Sequence, residues 1–309
     1  MSKTTLWTSL RLLGGAAILV VLVLQFGAAP FVNGLRRIDP TALLLAVVVT
    51  AITTWCCAVR WSLISDLLDV AVPVRSAFLA CYRSQFLNAT LPGGILGDVD
   101  RAVRHGRGSR AMSRGLMSVF WDRATGFAVQ ATLAVGAALW LAALVQALVG
   151  WLLLAVAGVL ILVHGGLPDR FIRTLRVEIR HVPAAPGIWP RIAGLSTIAV
   201  GGHALVFVVA ARTVGVTTPL GELVAIALVV LMASAIPLNL AGWGPREGVA
   251  AWIFAASGVG ASVGLEVAVA YGVMALVATL PGALGLLGTR IPALGFRAPT
   301  RGMDGATHG

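Results

Sequence analysis

Uninterrupted runs of about 20 apolar residues recur along this chain, and they limit its possible folds more than any other feature. The runs are continuous, and they are too long for the alternating strands of a membrane barrel. Only 11% of the residues are charged and 58% are hydrophobic, whereas a soluble domain carries roughly 25% charged residues. The sequence therefore predicts an all-α fold, a polytopic membrane helix bundle with about 7–8 transmembrane helices plus re-entrant or broken helices.

Proline and glycine residues interrupt the apolar runs and set the predicted boundaries. Transmembrane helices are predicted over Leu10–Ala28, Thr41–Ile64, Ser113–Trp140, Leu141–Val163, Ile192–Ala211, Leu220–Ile236 and Val263–Leu287. The segment Ala77–Leu91 has about 15 residues, a length that suits a re-entrant hairpin better than a span. Whether the short segment Arg246–Ser257 crosses the membrane is left open. Residues 1–290 are predicted to form a single transmembrane domain, and residues 291–309 a polar, disordered tail.

The formal net charge of +11 follows from arginines in the loops between apolar runs, as the positive-inside rule describes. The N-terminus, residues 98–114 and residues 164–191 are basic and are predicted to share the cytoplasmic side, although Arg36 and Arg37 fall on the other side. We therefore expect a multi-pass protein of the cell membrane with a cytoplasmic N-terminus. Its basic loops suit anionic lipid headgroups, and no nucleic-acid partner is expected.

Two stretches rich in glycine and proline break the hydrophobic pattern. Residues 88–101 read N-A-T-L-P-G-G-I-L-G-D-V-D-R, and residues 236–247 read I-P-L-N-L-A-G-W-G-P-R-E. Glycine and proline release backbone groups from the helix, and such groups persist in a membrane only when protein or a wet cavity surrounds them. Interrupted segments in both halves of a membrane protein indicate a binding site.

The candidate substrate-binding residues are polar or charged side chains in or beside these stretches, or inside an apolar helix: Arg83, Asn88, Asp98, Arg101, Asp122, Arg123, Asn239, Arg246 and Glu247. A charge at mid-membrane costs about 2.5–3.5 kcal/mol, so charged residues there usually face a cavity and have partners. The planar guanidinium of arginine fits phosphate. We expect the arginines to contact a phosphate group and the acidic residues to hold them in place.

Structural roles for the same residues are left open. Asp98 and Arg101 can form an interfacial ion pair, and Arg246 and Glu247 a helix cap. Asp122 and Arg123 can form a structural ion pair, and Arg83, Gln85 and Asn88 a polar face at the interface.

The motifs L-P-G-G with G-D-x-x-R, then Asp122-Arg123, then G-x-G-x-R-E occur in an order that resembles the lysylphosphatidylglycerol synthase transmembrane-region family of flippase-like membrane proteins. The resemblance covers about residues 10–290, and Asp122 stands where the family usually has glutamate. Bifunctional members also carry an aminoacyl-transferase domain, which we do not expect in this chain. The resemblance implies that this chain corresponds to the lipid-moving part of these proteins, without the synthase part.

We therefore expect a lipid transporter that moves a phospholipid or a polyprenyl-phosphate-linked lipid between leaflets through a polar cavity. A membrane enzyme or enzyme subunit acting on lipid-linked aminoacyl or glycosyl substrates is the alternative, and a structural partner of another membrane protein is a third. The chain carries no P-loop, Rossmann, H-E-x-x-H or G-x-S-x-G motif, so we predict no catalytic residue, no metal site and no cofactor. Membrane lipids are the expected partners, and a homo-oligomer or a membrane protein partner is left open.

Overall fold

The computed structural model describes residues 20–91, 94–140, 187–234 and 243–287, and the regular secondary structure of these ranges is helical. Residues 20–26 are helical, and the helices that follow are α1 Ala29–Arg36, α2 Pro40–Leu67, α3 Val74–Thr90, α4 Leu96–Gly108, α5 Met112–Trp140, α6 Trp189–Val214, α7 Leu220–Ala233, α8 Pro245–Ala256, α9 Ala261–Thr279 and α10 Pro281–Leu287. Within these ranges, α2, α6 and α9 are long and apolar enough to cross a membrane. The protein is thus an all-helical membrane bundle, as predicted. The predictions for Leu141–Val163, Asn239 and the polar tail lie outside the described residues.

Helix α2 runs antiparallel to α5 and α6. Near its C-terminal end, Ile64 packs in one apolar cluster with Met117 of α5 and Ile192 of α6. Further back along α2, the position of Gly202 lies against Thr53. Helix α2 begins where the Asp39 carboxylate accepts the backbone N–H of the third following residue at 2.7 Å, directly before the proline that starts the helix.

The two ends of this bundle differ in charge. At the end that carries Ile64 and Ile192, the exposed arginines of the helix termini are Arg75, Arg104, Arg107, Arg110, Arg114 and Arg191. We call this the basic end. At the opposite end Arg37 donates to the carbonyl of Val214 and lies 4.0 Å from the Glu266 carboxylate. Residues 104–114 and 188–192 therefore share one end, in agreement with the sequence, and Arg37 lies at the other.

Helices α3 and α4 form a first hairpin that enters the bundle from the basic end. Near its tip, Asn88 contacts Asp98, and further from the tip Cys81 contacts Arg101. The pairing is therefore antiparallel. At its C-terminal end α4 returns to the start of α5, where Gly106 packs against Met112. The 13 residues of α4 extend about 20 Å, short of the roughly 30 Å of hydrocarbon in a bilayer. The sequence predicted a hairpin here, but it treated most of α4 only as a basic stretch.

Helices α7 and α8 approach from the opposite end. At its start α7 lies against the end of α5, since the Cβ of an alanine at Gly221 would lie 3.0 Å from the Trp140 ring. Helix α8 packs antiparallel on α9, with Ala250 beside Gly264. Helix α8 has 12 residues, or about 18 Å, and it ends next to the start of α9. We call α7 and α8 the second hairpin.

Two helices at the ends of the described chain differ in how the structure bears on their predictions. Of the predicted helix Leu10–Ala28, residues 20–26 are described and helical, and Gly27, with a φ of 71°, ends them before the separate α1. The predicted continuous helix Val263–Leu287 was wrong, because α9 ends at Thr279 and α10 begins at Pro281. Proline has no N–H to donate and its ring clashes with the preceding turn.

Candidate functional site

A buried carboxylate, Asp122, lies between two buried arginines. Its two oxygens accept hydrogen bonds from Arg60 Nε at 2.8 Å and Arg101 Nη2 at 2.9 Å. The side chains are at most 6% exposed. Arg60 also donates to the Ser196 hydroxyl at 2.9 Å, so the contacts tie α2, α4, α5 and α6 together. Gly126 leaves room for Arg60, because a Cβ there would lie 2.8 Å from the guanidinium.

A second carboxylate, Asp98, lies in the first turn of α4 near the tip of the first hairpin. It accepts hydrogen bonds from Ser84 at 2.8 Å and Asn88 at 2.9 Å, both on α3. Arg101 at 3.3 Å and Arg123 at 2.6 Å also donate to it. Since Arg101 bridges the two carboxylates, the residues form one cluster, which we call the Asp98–Asp122 network.

The charges of this network do not cancel. Three guanidinium groups, those of Arg60, Arg101 and Arg123, face two carboxylates. Arg60 and Arg101 are buried, whereas the Arg123 side chain is 51% exposed. Among the described residues, the network therefore carries one positive charge in excess, and its exposed edge is Arg123.

Aromatic rings close the side of the network that faces the basic end. The Trp61 ring lies 4.6 Å from the guanidinium carbon of Arg101 and 5.2 Å from the His105 ring. The contact with Arg101 is a cation–π interaction, which stabilises a buried cation.

Arg83 belongs to a different cluster. Its Nε and Nη2 donate to the two oxygens of Asp100 at 2.9 and 3.3 Å, and its Nη1 donates to the Gly285 carbonyl at 3.0 Å. Arg104 also donates to Asp100 at 2.9 Å. These contacts connect α3 and α4 to α10, so the structure places Arg83 apart from the Asp98–Asp122 network.

Arg246 and Glu247 form a buried pair at the start of α8. The Glu247 carboxylate accepts hydrogen bonds from Arg246 Nε at 2.9 Å and from Nη2, and its other oxygen accepts the backbone N–H of Gly244 at 2.6 Å. The Arg246 guanidinium carbon lies 5.6 Å from the Trp243 ring and 5.1 Å from the Tyr271 ring. The pair is thus both a helix cap and a buried ion pair.

The two charged clusters are connected to different parts of α6. The Tyr271 ring beside Arg246 is 5.7 Å from the ring of Phe207 on α6, whereas the Asp98–Asp122 network contacts Ser196 of the same helix. These two positions are about 16 Å apart along α6 at 1.5 Å per residue. Within the described residues no hydrogen bond or ion pair joins the two clusters.

The structure brings together five of the candidate residues: Asn88, Asp98, Arg101, Asp122 and Arg123. The sequence interpretation missed their partners Arg60, Ser84 and Ser196. Arg60 had a recognisable signal, since it is a charge inside the predicted helix Thr41–Ile64. The two serines had none, because serine is common where membrane helices pack closely.

The chain matches the model of one known protein family. The family model described as Lysylphosphatidylglycerol synthase TM region matches residues 8–282, a range that includes both hairpins and both charged clusters. No curated protein matches the chain.

Proposed function

This chain belongs to the lysylphosphatidylglycerol synthase TM region family, and on that premise we propose that it moves a phosphate-bearing lipid between the leaflets of the membrane. The cargo is a phospholipid or a polyprenyl-phosphate-linked lipid, and the protein acts as a transporter without covalent chemistry. We place it in the cell membrane with the N-terminus and the basic end on the cytoplasmic side, because arginines accumulate on that side of membrane proteins.

The excess positive charge of the Asp98–Asp122 network is the observation that supports this proposal. A phosphodiester carries one negative charge, so a single headgroup would balance the three arginines and two carboxylates. Arg123 offers the exposed guanidinium for that contact, in the charge-assisted geometry that arginine forms with phosphate. When no lipid is bound, Asp98 and Asp122 keep the remaining charge small.

A charged headgroup must pass through about 30 Å of hydrocarbon, and this passage is the main free-energy cost of transport. The two hairpins lower that cost. Short helices that end inside the bundle carry polar groups to depths where lipid alone offers none. The hydrogen bond of 3.1 Å between Thr54 and Gln85 supplies further polar groups on α2 and α3. The headgroup would follow these groups while the acyl chains remain in the bilayer.

Replacing Arg123 by alanine tests the proposal. We expect Arg123→Ala to lower lipid transfer at least tenfold, because a charged hydrogen bond to the headgroup contributes about 1.5–3 kcal/mol. The measurement uses proteoliposomes with fluorescent phosphatidylglycerol and a membrane-impermeant quencher, which reports headgroups that reach the outer leaflet.

Arg114→Ala is the matched control. Arg114 is also an arginine of α5, it is 49% exposed against 51% for Arg123, and it is also paired with an aspartate, Asp69. It lies at the basic end, away from the network, so transfer should stay at the wild-type rate. Equal rates for wild type, Arg123→Ala and empty liposomes would contradict the proposal. A new lipid product formed by the wild-type protein would instead favour the enzyme alternative.

A further inference from the structure

The order of helix lengths occurs twice in the described chain. The helices α2, α3, α4 and α5 have 28, 17, 13 and 29 residues, and α6, α7, α8 and α9 have 26, 14, 12 and 19. Each series is long, short, short, long. The second short helix follows a glycine with positive φ, Gly94 or Gly244, and has an acid in its first turn, Asp98 or Glu247. Each acid is bonded to an arginine.

The two series have opposite directions. Helix α2 ends at the basic end and α6 begins there, since Ile64 and Ile192 share one apolar cluster. The open end of a hairpin is the end at which its first helix begins and its second helix finishes. The open end of the first hairpin consequently lies at the basic end, and that of the second lies at the opposite end, where Trp140 contacts the start of α7. Inverted repeats of this kind place equivalent broken helices in opposite halves of a transporter.

We infer that the Arg246–Glu247 pair is the second of two equivalent sites for a phosphate headgroup, and that the Glu247 carboxylate occupies this site in place of phosphate. The inference rests on the proposed function and adds to it a second binding position in the other half of the bundle.

The guanidinium geometry supports this assignment. One oxygen of the Glu247 carboxylate accepts from both Nε and Nη2 of Arg246. These two donors form the edge with which arginine can bind a phosphate through two parallel hydrogen bonds. Trp243 and Tyr271 flank the guanidinium, and a Cβ at Gly272 would lie 2.5 Å from it. The chain thus builds a pocket around this cation and fills it with its own carboxylate.

The two sites consequently differ in charge. The Asp98–Asp122 network carries one positive charge in excess, whereas Arg246 and Glu247 cancel each other. A headgroup can bind the first site directly, but it must displace Glu247 to bind the second. The lipid therefore rests at the first site and occupies the second only in passage.

Replacing Glu247 by glutamine tests whether this carboxylate keeps a headgroup out of the second site. Glutamine keeps an oxygen that can accept the N–H of Gly244 and removes the competing charge. On the full chain in detergent, calorimetric titration with dihexanoyl phosphatidylglycerol should show one more binding site in Glu247→Gln than in wild type. The double variant Arg246→Ala with Glu247→Gln should lose that additional site. Glu222→Gln, a change at a first-turn acid of α7, is the matched control and should leave the number unchanged.

The inference depends on whether Glu247→Gln binds one more lipid molecule than wild type. No increment in Glu247→Gln, or an increment that persists without Arg246, would overturn it. If Glu247→Gln is too unstable to titrate, its melting temperature should rise more than that of wild type with added dihexanoyl phosphatidylglycerol, and an equal rise would contradict the inference.

A parallel titration with inorganic phosphate separates the two sources of the anion, since an added site for phosphate alone would overturn the lipid headgroup as ligand. A second site in Glu247→Gln without lipid transfer by the wild type would retain the two-site arrangement and overturn the transport function.

Discussion

Replacing Asp122 by asparagine is expected to destabilise the protein by about 3 kcal/mol or more, because it leaves buried arginines without a counter-charge. Arg60 and Arg101 are 5% and 3% exposed, so water cannot solvate either guanidinium after the change. Asparagine keeps the shape of the side chain, and the loss therefore measures the missing charge. The measurement is chemical denaturation of the purified protein in detergent, followed by intrinsic fluorescence.

Asp69→Asn provides the control for the same chemical change at an exposed pair. Asp69 is 80% exposed and its oxygen lies 3.5 Å from Arg114, and exposed pairs contribute about 0–1 kcal/mol. Asparagine also tolerates the positive φ of 54° at this position. If Asp122→Asn and Asp69→Asn unfold at the same denaturant concentration, Asp122 does not hold the network together.

Gly97→Ala is expected to abolish lipid transfer, because the first hairpin has no space for a side chain at that position. The added Cβ would overlap the backbone carbonyl of Ser84 and lie 2.9 Å from the Asn88 side-chain oxygen. Helices α3 and α4 would separate, and Asp98 would move away from Ser84 and Asn88. Overpacking of this kind also costs about 1–3 kcal/mol of stability. Transfer is measured in the liposome assay described for Arg123→Ala.

Gly201→Ala makes the same substitution where space is available. Gly201 lies within α6, and nothing lies within 4 Å of the position of its Cβ. Alanine stabilises a helix by up to about 1 kcal/mol relative to glycine, so this variant should be at least as stable as wild type and transfer lipid at the same rate. Unchanged transfer in Gly97→Ala would show that close packing of the hairpin is not required.

Local features of the sequence were sufficient to predict the long helices α2, α5 and α6 and the interruptions directly before α4 and α8. Apolar runs mark membrane helices, and Leu91-Pro92-Gly93-Gly94 interrupts the helix ladder wherever the chain lies. Asp98 and Arg101 are three residues apart, so helix geometry alone places them on one face. The sequence therefore predicted much of the Asp98–Asp122 network.

Contacts between distant helices could not be predicted in this way. Arg60 reaches Asp122 and Ser196 only because α2 packs antiparallel to α5 and α6, and no local pattern encodes that packing. The sequence interpretation also assigned Arg246 to one cavity with Arg101 and Arg123, and this assignment stays a prediction. Within the described residues, no hydrogen bond or ion pair joins Arg246 to that network.

The central claim is that the two hairpins open toward opposite sides of the membrane, and each carries an arginine–acid pair into its own half of the bundle. Sided labelling of single cysteines tests this directly, in a background with Cys56→Ala, Cys57→Ala and Cys81→Ser. Arg107→Cys reports the open end of the first hairpin and Ser257→Cys that of the second, and both positions are exposed.

A membrane-impermeant maleimide added to one side of sealed, uniformly oriented vesicles should label only one of these two cysteines, and after the vesicles are opened it should label the other. Labelling of both cysteines from the same side would contradict the inverted arrangement, and with it the account of two opposed sites.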